Sequence, residues 1–66
     1  MPRKNLKRLM DESADLGLAA LADANWKEAE AAWDAAIGYA KESKDKLSEA
    51  LFRSYRGQAR QREQYP

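Results

Sequence analysis

Residues 22–36 read ADANWKEAEAAWDAA, from Ala22 to Ala36, and their spacing decides the fold. Asn25 stands directly ahead of Trp26-Lys27-Glu28, so a carboxylate follows a potential capping side chain by three residues. This is the reciprocal capping-box spacing, with Asn in place of Ser or Thr, and it predicts a helix start. Behind it Trp26, Ala29, Trp33, Ala36, Ile37 and Ala40 form one apolar stripe at three- and four-residue steps, while Lys27, Glu30, Asp34 and Lys41 occupy the other side. The small positions let a neighbouring helix approach, and each indole fills a wider gap.

Reading outward, Leu6, Leu9, Met10, Leu16, Gly17, Ala20 and Leu21 repeat at helical intervals and predict a first helix over about residues 5–23, capped by Asn5. The second helix covers about 26–42. A third is expected over about 45–64, with Leu47, Ala50, Leu51, Tyr55 and Ala59 on one side and Phe52 beside them. The join Glu42-Ser43-Lys44-Asp45 contains neither Gly nor Pro, so an uninterrupted helix also fits it. A break is favoured, because one helix from Trp26 to Gln64 would run about 58 Å and leave its far half without a neighbour.

With 66 residues the chain is one all-α domain at most, over 1–66, with residues 1–4 expected as a disordered basic tail. Cys and His are both absent, which removes disulfides and the usual zinc and haem ligands; neither a metal nor a cofactor is expected. No apolar run approaches the length of a membrane span and no secretory signal is evident, so a cytoplasmic chain without membrane contact is expected. Net charge is +1, but residues 1–10 carry four bases and no acid. Residues 11–45 then carry nine acids against three lysines, and residues 46–66 five bases against two acids. Segregation of this kind either marks a surface for acidic ligands or is a set of solvated faces.

Ser13-x2-Leu16-Gly17-x2-Ala20, the turn at Ala24-Asn25-Trp26, and Ala29-x3-Trp33 followed by Ala36 together resemble the tetratricopeptide repeat, whose pattern is W-x2-L-G-x2-Y, a turn, then A-x3-F. The likeness spans about residues 13–41. Ser13, Ala20 and Lys41 stand where the repeat has an aromatic, a tyrosine and a proline. The resemblance implies a single helical hairpin closed by a third helix, with Leu16, Gly17, Ala20, Trp26, Ala29, Trp33 and Ala36 in its core. It also implies that Ala14, Leu18, Leu21 and Ala22 fall on the concave face that binds peptides in that family.

Two functional readings follow. The first is a protein-interaction or self-association module, expected as a homo-oligomer, that takes a helix or peptide through an apolar groove; Leu18 and Leu21 fit equally well as core beneath the third helix. The second is an acidic-ligand or nucleic-acid binder using the basic ends, with Arg53, Arg56 and Arg60 as a row of guanidinium forks. A solvated arginine face is the plainer alternative to that row. No nucleophile with a base at a telling spacing and no glycine-rich phosphate loop is present, so an enzyme is not expected and no catalytic residue is assigned.

Overall fold

The computed structural model describes residues 5–64; the expected tail at residues 1–4 lies outside them. Three helices follow one another: α1, Leu6–Ala22; α2, Trp26–Glu42; and α3, Lys46–Gln64. The described chain is all-α, and none of its helices is long and apolar enough to cross a membrane.

Both corners use the same device. Ala24 and Lys44 take the left-handed conformation, with φ of 57° and 58°. At the first corner the amide of Asn25 donates to the Ala20 carbonyl (2.8 Å) and that of Ala24 to Leu21 (3.1 Å). At the second, Asp45 donates to Ala40 (2.9 Å) and Lys44 to Lys41 (3.1 Å). These paired bonds form the Schellman motif, which satisfies the last helical carbonyls and reverses the chain without glycine or proline. The break between α2 and α3 is therefore real, and its cause is a backbone hydrogen-bond pattern rather than a breaker residue.

Helix starts recur at Asn5, Asn25 and Asp45, but their side chains behave differently. Asn5 accepts from the Arg8 amide at 3.1 Å. Asp45 accepts from both the amide and the hydroxyl of Ser48, at 3.1 and 2.7 Å. Asn25 makes no side-chain cap bond, which corrects the expected capping box. The reciprocal half of that box needs the Asn25 amide as donor to Glu28, and the Schellman turn has already committed this amide to Ala20.

The core is centred on Trp33, which is wholly buried. Met10, Gly17 and Ala20 approach it from α1, and Phe52 and Ala59 from α3; Ala29, Ala36, Ile37 and Ala40 complete the buried side of α2. The Trp33 indole stacks on Tyr55 with centroids 4.6 Å apart and 16° between planes, and meets Phe52 at 5.4 Å. Gly17 allows the approach of α1: a Cβ there would lie 2.4 Å from Trp33 Cε2. The Trp33 Nε1 hydrogen has no acceptor, a burial cost of about 1–3 kcal/mol that the packing around the ring must offset.

α1 and α3 each run along α2 and barely meet each other. The Cα positions span 45 × 20 × 12 Å, flatter than a closed three-helix bundle would be, so α2 is covered on two flanks while each outer helix has a single neighbour. Two expectations are corrected by this geometry. Leu16, expected in the core, is 67% exposed. The closest approach to α2 is taken by Gly17, and at 100° per residue this turns Leu16 onto an outer flank. Trp26, also expected there, is half-buried at the corner.

Candidate functional site

The residues expected to meet a partner lie along one flank of α1. Counting 100° per residue from Gly17, the residue nearest Trp33, Leu21 and Ala14 fall at the edge of the buried stripe and Leu18 and Ala22 progressively farther out. Accessibility follows that order. Ala14 and Leu21 are half-buried against the core, Leu18 is 47% exposed and Ala22 is exposed. α3 does not cover them as ordinary core, because it packs on α2.

The arginine row is arranged differently from a presented clamp. Arg56 donates to Asp34 at 2.6 Å and Arg60 to Glu30 at 2.8 Å, both across the α2–α3 interface. Arg53 pairs with Glu49 of its own helix at 2.8 Å. Each guanidinium that could have faced an external anion thus has an internal carboxylate, and two of the three fasten α3 to α2. Glu63 joins the Glu30 end of this row. A hydrogen bond shared with Glu63, and then the Arg60 guanidinium, hold the Glu30 carboxyl below its ordinary 4.5. Sharing that bond pushes Glu63 above the same value.

These pairs also turn α3. Of the expected apolar side, Tyr55 and Ala59 pack inward, whereas Leu47, Ala50 and Leu51 are turned out. Phe52 and Ala59 are buried and Tyr55 half-buried, while Leu47 is 87% and Leu51 52% exposed. Two aromatic contacts with Trp33 and two ion pairs with α2 fix the rotation, and all four lie on the same half of α3. The i, i+4 spacing of Glu30 and Asp34, matched by that of Arg56 and Arg60, was the available signal for this interface.

On the flank of α1 opposite Leu18, Leu16 joins Glu28, Ala31 and Ala32 of α2 around an open depression of 350 Å³. A neighbouring hollow of 390 Å³ continues past Leu16 over Glu12 and Asp15. Leu16, Ala31 and Ala32 make the apolar part of this lining, and Glu12, Asp15 and Glu28 the acidic part. Among the described residues no group of three or more His, Cys, Asp or Glu side chains is placed to hold a metal ion. Compared with models of protein families, with curated proteins and with solved structures, the chain finds no match.

Proposed function

We propose that this chain is a small cytoplasmic protein-binding module of the tetratricopeptide type, with a binding and not a catalytic role. It takes an amphipathic helix or peptide on the side of α1 carrying Ala14, Leu18, Leu21 and Ala22. The observation that carries this reading is the 47% exposure of Leu18 on a helix that α3 leaves uncovered. Apolar surface left open beside a buried core gains roughly 25 cal/mol per Å² when a partner covers it, before the costs of association are subtracted. Residues 16–22 of α1 include no polar side chain, so their open surface favours a covering partner. The small-against-large contact of Gly17 with Trp33 supports the repeat-like hairpin.

The nucleic-acid or acidic-ligand reading ranks second, because Arg53, Arg56 and Arg60 are already paired with Glu49, Asp34 and Glu30. Selection from a displayed library of random amphipathic helical peptides, counter-selected on Leu18→Asp, tests the first reading. Peptides that bind the wild-type chain, lose binding to Leu18→Asp and tolerate added salt are expected. A library that never separates the two proteins, together with heparin binding that collapses as salt rises, would transfer support to the second reading.

A further inference from the structure

Two uncovered surfaces, neither of them containing Leu18, differ in form and charge: one is hollow with acidic residues, the other projects beside a lysine. The first is the depression between α1 and α2, with Leu16 on one wall, Ala31 and Ala32 on the other, and Glu28 at the rim. Asp15 and Glu12 extend the acidic border along α1, Glu12 being paired with Arg8 at 3.1 Å. The second is the outer side of α3, where Leu47 projects into solvent with Ala50 and Leu51 next to it. Both acids of α3 lie elsewhere, Glu49 against Arg53 and Glu63 against Glu30. Lys46 is the charged group of α3 adjoining Leu47 on that outer side, while the neighbouring Asp45 carboxylate is taken up by the amide and hydroxyl of Ser48.

We propose that the depression receives α3 of a second copy of this chain. Leu47 and Leu51 of one molecule enter over Ala31 and Ala32 of the next, beside its Leu16, and Lys46 faces the carboxylates of Asp15 and Glu28. Charge decides the occupant. Two depressions face to face would bring carboxylates together, and two Leu47 surfaces would bring lysines together; joining unlike surfaces avoids both. The contact is therefore heterologous, with each molecule offering one knob and one socket. Its small size places it among weak, concentration-dependent associations.

The proposal does not rest on the peptide-binding reading, and sedimentation equilibrium separates the two. Wild-type protein is measured up to about 1 mM, the range for a small interface, beside Leu16→Glu, Leu47→Glu and Leu18→Glu, all substitutions at exposed positions and each checked for helicity. Wild type and Leu18→Glu are expected to associate, and added salt to weaken that association. Leu16→Glu and Leu47→Glu are each expected to remain monomeric alone. An equimolar mixture of those two should pair with an affinity at least about tenfold above either by itself, since one keeps an intact knob and the other an intact socket. A wild-type chain that stays monomeric, a mixture that fails to pair, self-association by either blocked variant alone, or loss of association in Leu18→Glu would each overturn the proposal.

Discussion

A Cβ on Gly17 would sit 2.4 Å from Cε2 and 2.8 Å from Cδ2 of Trp33, inside the ring system and not at the tip of a flexible chain. Gly17→Ala must therefore push α1 and α2 apart. The expected loss is about 1–3 kcal/mol in urea unfolding, despite the helix propensity that alanine adds. Gly57 gives the contrast, because a Cβ there meets nothing within 4 Å. Gly57→Ala should raise stability by about 1 kcal/mol in the same measurement. Glu63 offers a test in pH. Its carboxyl is raised above the ordinary 4.5, so its contribution is present when it is protonated and is lost as pH rises through the raised value. Glutamine keeps the donor to Glu30 without the charge. Thermal melts at neutral and acidic pH should show Glu63→Gln more stable than wild type at pH 7, with the advantage shrinking as the wild-type carboxyl takes up its proton.

At the scale of the helix and its ends, the two corners carry left-handed residues that are not glycine. Ala24→Gly and Lys44→Gly should each raise the midpoint of thermal unfolding, by about 0.5–1 kcal/mol in stability once the added freedom of the unfolded chain is subtracted. Asp45→Ala is expected to lower the midpoint and Asn25→Ala to leave it nearly unchanged, since only the former side chain makes cap bonds. The Ser48 hydroxyl and amide hold the Asp45 carboxyl below its ordinary 3.8. Its contribution is thus present above that pH and fades as pH falls toward the lower folded value, so the penalty of Asp45→Ala should diminish in acid. The boundaries of α1 and α2 were legible because periodicity and the Asn residues agree on them. Rotation about the helix axis was less so: over residues 16–22 α1 has no polar side chain, and residue type alone does not say that Gly17, rather than Leu16, meets the indole. In α3 the expected side held for Tyr55 and Ala59 and failed for Leu47, Ala50 and Leu51, because Phe52 and the arginine pairs turn the helix toward themselves.

Across the whole molecule, α2 alone has neighbours on two flanks, and amide exchange should rank accordingly. The middle of α2 is expected to exchange slowest, and the ends of α1 and α3 fastest. Phe52→Ala should remove roughly 3 kcal/mol of packing and accelerate exchange along α3 more than along α1, because Gly17 still meets Trp33 and Met10 and Ala20 stay in the core shared with α2. Equal acceleration in both outer helices would show that they open as one unit and that the layered description is wrong. What a sequence of this size conveys least is which surfaces remain open. Leu18 was legible as a candidate because α1 has more apolar positions than one neighbour can cover, whereas the exposure of Leu16 follows from a small rotation, and that of Leu47 is signalled only by charge spacings matched between α2 and α3.

The open layer also bears on how the chain finds its shape. Almost every tertiary contact joins helices adjacent along the chain, so assembly never waits for the two ends to meet, and each corner closes only a short loop. Chains with such local wiring fold quickly, in microseconds to milliseconds. Either α1 or α3 can be the first to clasp α2, and the ring of Trp33 is the surface on which both searches end.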